Sequence, residues 1–259
     1  MPYADHRGTR IHYELEGEGP PLVLQHGFTG NLKRWHTFGY VSALGSSYQL
    51  ILVDARGHGA SDKPHDPAAY DLRLRAGDVV AVLDALKIAK AHYWGYSMGG
   101  WIGFGMAKYA AGRVRSLVIG GAHPYEERLP DSSRPDGSDP EAFMATLYRR
   151  LGVDPATIPQ AVKEEIRAND FRALAASQQD RPSLEDILPA MSMPCCLYVG
   201  DADPRYPKVL ECARQIRGAV SFAMPGLDHS AGFRESALAL PQVGTFLENV
   251  TKGTRKQAA

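Results

Sequence analysis

The sequence predicts an α/β protein built on a doubly wound, mostly parallel sheet flanked by helices. Short apolar runs that do not alternate with polar residues are typical of strands buried on both faces, and six such runs occur here. Segments with helical periodicity separate several of these runs, as this fold class requires. The chain has 259 residues and is 44% hydrophobic, which is enough for one sizeable core.

Each strand has its own sequence signal. Two runs of alternating polar and apolar residues on either side of Gly8 predict an N-terminal hairpin. The buried strands are expected within PPLVLQHG, YQLILVDARG, AHYWGYS, RSLVIGGA, PCCLYVGDAD and AVSFAMPGLDH. In a doubly wound sheet, ligands bind at the carboxyl ends of the strands, so functional residues are expected in the loops that follow these runs.

Three segments predict helices. In residues 70–87, leucine and valine recur along one side, and Asp71 is placed to cap the first turn. A second helix, MGGWIGFGMAKYAA, follows the strand AHYW closely. The segment FRESALALPQVGTFLENV closes the fold, and Pro241 is expected to kink or break it.

One connection is much longer than the others. From His123 to about Met191 the chain is first polar and proline-rich, and then shows helical pieces. A connection of this length inside a compact domain is usually functional, and we predict a small helical cap inserted over the strand ends. The expected organisation is an α/β core of residues 1–122 and 192–250, a cap of residues 123–191 and a flexible tail of residues 251–259.

Charge and composition argue against several classes of protein, among them proteins that bind nucleic acids or membranes. Lys plus Arg and Asp plus Glu both number 29, so no basic face indicates nucleic acid and no polybasic run indicates a membrane surface. Three cysteines, two of them adjacent, are not a disulfide framework. No signal peptide and no apolar stretch of membrane length are visible. We therefore expect a soluble, cytoplasmic protein that binds a small molecule, and leave open whether it forms a homo-oligomer.

The stretch GYSMGG contains a Gly-x-Ser-x-Gly motif from Gly95 to Gly99, between a predicted strand and a predicted helix. A serine at such a sharp turn is lifted clear of the sheet, and the glycines let neighbouring segments pass closely. Ser97 is therefore the predicted nucleophile. The alternative is a glycine-rich turn that carries a bystander serine.

A serine nucleophile needs a base that a third group orients. Two of the nine histidines, His123 and His229, follow Ser97. His229 comes just after the last predicted strand, where a loop can carry it to the carboxyl edge of the sheet. We predict that His229 is the base.

The acid is expected after the strand CCLYVG, where two carboxylates, Asp201 and Asp203, lie close together. Asp203 has two more residues in which to clear the sheet edge. Pro204 follows it and favours an extended conformation there. We predict that Asp203 orients His229 and that Asp201 does not.

Acyl transfer also needs hydrogen-bond donors for the oxyanion. One is expected to be the backbone N–H of Met98, at the start of the helix. The other is expected from Phe28 in the loop HGFTG, which follows another predicted strand. Gly27 allows close backbone approach in that loop, and His26 is expected to act as a structural hydrogen bonder.

Together these motifs resemble the α/β-hydrolase fold family, and most of all its small bacterial serine carboxylesterases and enol-lactone hydrolases. The motifs are HGF (26–28), DARGHGASD (54–62), GYSMGG (95–100), GDADP (200–204) and DH (228–229). The resemblance covers nearly the whole chain. It implies a triad of Ser97, Asp203 and His229, and a structural loop in which Arg56 and His58 brace the site. Dehalogenases and epoxide hydrolases of the family carry Asp where this chain has Ser97, so both activities are disfavoured.

The predicted function is hydrolysis of small carboxylic esters through an acyl-enzyme intermediate, with no metal and no cofactor. A mainly apolar pocket is expected, lined by Phe28, Tyr96, Trp35, Phe143 and Leu147. Packing within the cap's own core is the alternative for Phe143 and Leu147. The same triad also serves lactone opening, C–C bond hydrolysis and perhydrolysis, and a non-catalytic small-ligand receptor of this fold is a further alternative.

Overall fold

The computed structural model describes residues 2–129 and 135–257. An eight-stranded sheet runs through these residues. Its strands are β1 Tyr3–His6, β2 Thr9–Glu16, β3 Pro21–Gln25, β4 Gln49–Val53, β5 Ala91–Tyr96, β6 Val114–Gly120, β7 Cys195–Gly200 and β8 Val220–Met224. All six non-alternating apolar runs form strands, which are β3 to β8.

The strand order across the sheet is β1-β2-β4-β3-β5-β6-β7-β8. β1 and β2 form the predicted antiparallel hairpin, and β2 is also antiparallel to β4. The remaining neighbours are parallel, so that Leu24 of β3 lies between Leu52 of β4 and Trp94 of β5. The predicted fold class is confirmed.

Helices cover both faces of this sheet. They are α1 Lys33–Thr37, α2 Tyr40–Leu44, α3 Leu72–Ala85, α4 Met98–Tyr109, α5 Pro140–Leu151, α6 Gln160–Arg167, α7 Phe171–Ser177, α8 Tyr206–Gln215, α9 Ala231–Arg234 and α10 Ser236–Gln257. Asp71 caps α3 as predicted, because its side chain accepts a hydrogen bond from the backbone N–H of Arg73. α1, α2, α8 and α9 add to the predicted helices.

Two hydrophobic cores explain why the strands do not alternate in polarity. Along β3, Val23 faces the core formed with α3, α4 and α8, while Leu22 and Leu24 face the core formed with α1, α2 and α10. Both sides of each central strand are therefore covered by apolar side chains, and all six residues of β5 and of β7 are buried.

The chain between β6 and β7 carries α5, α6 and α7, which have a hydrophobic cluster of their own. Phe28, from the loop after β3, packs against this cluster. Near the two ends of the connection, Glu127 and Arg181 exchange backbone hydrogen bonds of 2.9 and 2.8 Å. These hydrogen bonds hold the start and the end of the connection next to each other.

α10 is the last helix, and it continues to Gln257, through most of the stretch for which a flexible tail was expected. Pro241 lies inside the helix without ending it. The apolar side of α10, with Ala239, Val243 and Leu247, is fully buried in the second core, and this packing supports the helix across the missing N–H. In the described parts of the chain, no helix has the length and apolar character needed to cross a membrane.

Candidate active site

Ser97 lies at the turn between β5 and α4. Its backbone has φ +53° and ψ −110°, a conformation that residues with a side chain rarely adopt. A Cβ on Gly99 would lie 2.1 Å from the carbonyl oxygen of Gln25, so only glycine lets α4 begin this close to the end of β3. The sharp turn and this close approach hold the Ser97 side chain at the carboxyl edge of the sheet.

Three side chains form a hydrogen-bonded chain at this edge. His229 Nε2 lies 2.8 Å from Ser97 Oγ, and His229 Nδ1 lies 2.5 Å from Asp203 Oδ2. Asp203 and His229 are buried and Ser97 is half-buried. When Nδ1–H donates to the carboxylate, Nε2 presents its lone pair to the Ser97 hydroxyl. This arrangement can move a proton from Ser97 to His229.

The loops after β7 and β8 bring Asp203 and His229 together. Asp203 Oδ1 accepts a 2.9 Å hydrogen bond from the backbone N–H of Arg205, which leaves Oδ2 for His229. The neighbouring Asp201 is exposed, and its Oδ1 accepts a 2.6 Å hydrogen bond from the backbone N–H of Gly226. Of the two carboxylates, Asp203 therefore faces the imidazole, whereas Asp201 ties the two loops to each other.

The environment of Asp203 favours its ionised form. Burial alone would raise the pKa of this carboxyl group, but the charge and hydrogen bond of His229, together with Arg205, hold its pKa below the ordinary value. The carboxylate is therefore negative at neutral pH, and it can stabilise a positive charge on His229.

Two backbone N–H groups beside Ser97 are free to bind a ligand. An ideal Cβ on Gly27 would lie 3.3 Å from Ser97 Cβ, so the loop that carries Phe28 lies against the serine. The amide of Met98 is the first in α4, where the helix dipole is positive. Neither the Phe28 nor the Met98 N–H forms a hydrogen bond with any residue that the structure describes. Both are available to an oxygen bound next to Ser97.

The loop of residues 54–62 and the loop after β3 support each other. His26 Nε2 accepts a 3.1 Å hydrogen bond from the backbone N–H of Ala55, and the Arg56 guanidinium donates a 2.6 Å hydrogen bond from Nε to Asp78 of α3. His58 is fully buried, and burial lowers its pKa well below the ordinary value, so its ring is neutral. These contacts hold the loop in place behind the site.

Two cavities meet at Ser97, and Phe28 and Leu147 line both of them. The large cavity has a volume of about 340 Å³, and the small cavity a volume of about 80 Å³. Tyr96 and His229 line the small cavity, and the Tyr96 hydroxyl donates a 2.7 Å hydrogen bond to the carbonyl oxygen of His229. Most other residues of the small cavity are apolar, namely Leu151, Val153, Ile158, Val162, Ile166 and Phe233. Its lining also includes Arg34, which is paired with Glu165, and Arg234, which donates to the carbonyl oxygen of Thr157.

Two of the predicted pocket residues lie elsewhere. Trp35 is fully buried in the second core, where its ring centroid lies 4.9 Å from those of Tyr40 and Phe233. It lies on α1, which packs this side chain into the core rather than toward Phe28. Phe143 is also fully buried, within the cluster of the cap helices and 5.4 Å from the ring centroid of Phe171.

The large cavity is more polar than the mainly apolar pocket that the sequence predicted. Four arginines line it, and they come from distant parts of the chain: Arg75, Arg150, Arg181 and Arg205. The sequence analysis missed them because no local spacing connects them. The nearest signal is the position of Arg205, two residues after Asp203 in the loop at the end of β7.

Comparison with known proteins places this geometry in a family. The family model described as alpha/beta hydrolase fold matches residues 20–186. An enol-lactonase from Burkholderia xenovorans has the same fold, with a TM-score of 0.81 and 24% identity over 95% of this chain and 100% of that one. An esterase from Rhodococcus sp. has a TM-score of 0.81 and 25% identity over 96% of this chain and 98% of its own.

One curated relative is the dihydrolipoyllysine-residue acetyltransferase component of the acetoin cleaving system of Pseudomonas putida. It is 36% identical over 163 residues, which are 60% of this chain and 41% of that protein. This chain thus spans about two fifths of the length of that relative. The match of the family model, together with the strand order and the turn at Ser97, shows that this chain belongs to the alpha/beta hydrolase fold family.

Proposed function

We propose that this protein is a serine hydrolase that cleaves small carboxylic esters through an acyl-enzyme intermediate. The observation that carries the proposal is the hydrogen-bonded chain from Asp203 through His229 to Ser97. It ends at a serine that borders both cavities. A serine, a base and an orienting carboxylate in this order are the parts that acyl transfer requires.

In the first step, His229 Nε2 accepts the proton of Ser97 Oγ while that oxygen attacks the carbonyl carbon of the ester. The π electrons of the carbonyl move to its oxygen, which becomes an oxyanion. The Phe28 and Met98 N–H groups donate hydrogen bonds to this oxyanion. Asp203 stabilises the imidazolium that forms, because its carboxylate accepts the Nδ1–H.

In the second step, the bond between the carbonyl carbon and the alcohol oxygen breaks. His229 delivers its proton to the departing alkoxide, and the acyl group remains on Ser97 as an ester. Water then takes the place of the alcohol. His229 removes a proton from this water while the water oxygen attacks the acyl carbon. The bond between that carbon and Ser97 Oγ then breaks, His229 returns the proton to Oγ, and the carboxylic acid leaves.

The cavities support a small substrate. About 340 Å³ lies at the low end of the range for small-molecule pockets, and the small cavity has room for only a few more atoms. The likeness to a Rhodococcus esterase and to a Burkholderia enol-lactonase supports carbonyl chemistry of this class.

Replacement of Ser97 by alanine tests the proposal. Ser97→Ala should lose almost all turnover of methyl butanoate, down to the roughly 10³–10⁴-fold excess over water that a site retains without its triad. An organophosphonate should add mass to the peptide that contains Ser97 in the wild type and not in this variant. Ser230, which lines the small cavity, supplies the matched control, and Ser230→Ala should stay active and be labelled. Near-native turnover by a verified Ser97→Ala protein would refute the mechanism.

A further inference from the structure

The wall of the large cavity carries an unusual concentration of positive charge. The arginine cluster consists of Arg75 from α3, Arg150 from α5, Arg181 from the end of the cap connection and Arg205 from the loop after β7. Glu127 lies between two of them. It accepts a 3.1 Å hydrogen bond from Arg181 and a 3.0 Å hydrogen bond from Arg205.

The other two arginines have only neutral partners. Arg150 Nη1 donates a 3.1 Å hydrogen bond to the side-chain oxygen of Gln178. Arg75 donates hydrogen bonds of 2.8 and 2.7 Å to the carbonyl oxygens of Tyr70 and Ser177. Among the described residues, no carboxylate forms an ion pair with either arginine. Glu127 acts on Arg150, and Asp78 acts on Arg75, only from beyond ion-pair distance.

Two further carboxylates line the same cavity, but both are exposed. Asp71 accepts the backbone N–H of Arg73 at the start of α3, and Asp180 accepts the backbone N–H of Leu129. Exposed carboxylates are well hydrated and compensate buried guanidinium groups weakly. Among the described residues that line the cavity, Glu127 is the one carboxylate that is half-buried beside the four guanidinium groups.

Burial and the repulsion between these positive charges lower the pKa values of Arg75 and Arg181. Burial, together with the neighbouring Arg205 and Arg150, lowers the pKa of Arg181 to about 10 against the opposing effect of Glu127. Burial also lowers the pKa of Arg75 to about 10, with Arg181 adding to the effect. A bound anion would relieve the repulsion between these guanidinium groups.

The position of His229 indicates whether the alcohol or the acyl group of an ester lies in the large cavity, beside the arginine cluster. His229 lines the small cavity and not the large one. It must protonate the departing alcohol, so the alcohol lies in the small cavity. Arg34 also lines this cavity, but it is paired with Glu165. The acyl group then extends into the large cavity, past the amides of Phe28 and Met98, which both line it. The arginine cluster lines the same cavity as Ser97, so it is the charged surface that an acyl group in this cavity would meet.

We propose that the substrates are monoesters of short dicarboxylic acids with a small alcohol, and that Arg150 and its neighbours bind the free carboxylate of the acyl group. This inference rests on the proposed function. A carboxylate is the anion that a guanidinium group matches best, because two parallel N–H donors meet two coplanar oxygens. Arg150 is the main anchor, since its one hydrogen bond to a described residue, from Nη1 to Gln178, leaves its other N–H donors for a ligand. Arg75 already donates from Nε and Nη2 to two carbonyl oxygens.

A pair of matched esters tests this substrate class. Monomethyl adipate and methyl adipamate have the same size and shape, and they differ in the charge of the remote group. The wild type should hydrolyse monomethyl adipate with a kcat/KM about 10- to 100-fold higher, the value of one charge-assisted hydrogen-bonded contact. Arg150→Gln should abolish this preference, mainly through a higher KM for monomethyl adipate.

The neighbouring Arg149 provides the control. It lies on the same turn of α5, is exposed and does not line the cavity. Arg149→Gln should keep the full preference for the monoester. Equal rates on the two esters in the wild type, or a preference that survives in Arg150→Gln, would overturn the proposal. The rate on methyl adipamate also shows that the variant is folded.

A binding measurement separates this inference from the esterase mechanism. In the Ser97→Ala background, calorimetry with monomethyl adipate and with methyl adipamate reports affinity without turnover. Tight binding of the monoester that Arg150→Gln weakens about 10- to 100-fold supports the anion site even if no ester is cleaved. Equal affinities for the two ligands, or no effect of Arg150→Gln on the affinity, would refute the proposed anion site. Neither result would contradict the esterase mechanism.

Discussion

The backbone N–H of Arg205 donates a hydrogen bond to Asp203 Oδ1, so only the other carboxylate oxygen faces His229. An asparagine at position 203 would keep its oxygen on this N–H and turn its amide N–H toward His229 Nδ1. The imidazole would then be forced into the tautomer that carries its proton on Nε2, which cannot accept the Ser97 proton. Asp203→Asn should lower kcat about 10⁴-fold with little change in KM.

Asp201→Asn is the matched control for this prediction. The Asp201 side chain accepts the backbone N–H of Gly226, and the amide oxygen of asparagine can accept the same hydrogen bond. The variant should stay within a few fold of the wild type when both are assayed on one methyl ester near neutral pH. If Asp201→Asn were the inactive variant and Asp203→Asn stayed active, the assignment of the acid would be wrong.

Short acyl chains should be cleaved better than long ones. Methyl esters from acetate to hexanoate fit the large cavity of about 340 Å³, but a longer alkyl chain must bury its end against the arginine cluster. Guanidinium groups lose hydration there without a partner, which is costly. The value of kcat/KM in a pH-stat series should therefore fall beyond hexanoate. A rate that climbs to palmitate, with activation at an oil–water interface, would contradict this prediction and indicate a lipase.

Two residues on α5 provide a control for the chain-length profile. Leu147 lines both cavities, whereas Met144 is buried in the cap cluster one turn earlier. Leu147→Ala should shift the optimum toward longer acyl chains, since it enlarges the space beside Ser97. Met144→Ala removes a comparable volume from the cap core and should lower stability while keeping the profile.

Stability should fall between about pH 6.5 and pH 4, in part because of His92. Burial between β5 and α10, with Arg115 nearby, lowers the pKa of His92 to about 4, below the 6.5 of an unfolded histidine. In this window the unfolded chain binds a proton that the folded chain does not, so the free energy of unfolding decreases as the pH falls. The contribution is about 3 kcal/mol, fully lost below pH 4.

Urea unfolding of His92→Gln as a function of pH measures this contribution. The variant should show a flatter dependence than the wild type between these two pH values, because glutamine does not titrate. His36, which is exposed, serves as the control, and His36→Gln should keep the slope of the wild type. If the free energy of unfolding of His92→Gln depended on pH as steeply as that of the wild type, protonation of His92 would not contribute to the pH dependence.

The parts of the fold and site that sequence reasoning predicted are those with local signals. Ser97 lies in a strand, turn and helix that are contiguous in sequence, and Asp203 and His229 directly follow the strands that position them. Parallel strands bring their carboxyl ends to one edge, so the meeting of these three residues follows from the topology.

The parts that sequence reasoning missed depend on packing between distant segments. Trp35 lies only seven residues beyond Phe28, but the intervening chain enters α1 and delivers the indole to a different core. The arginine cluster joins residues from Arg75 to Arg205, and its members share no periodicity. Which of several arginines on a helix faces a cavity depends on how the cap packs, as the contrast between Arg149 and Arg150 shows.

The paired backbone hydrogen bonds between Glu127 and Arg181 have an evolutionary consequence. They pin the two ends of the cap connection to one place, so the chain between them can be exchanged for a segment of another length without moving β6 or β7. Ser97, Asp203 and His229 all lie outside that segment, whereas Arg150 lies within it. In the proposed mechanism, the residues that cleave the bond thus lie outside this segment and the proposed anchor of the acyl group lies inside it. Exchange of the segment should then change the substrate and keep the reaction.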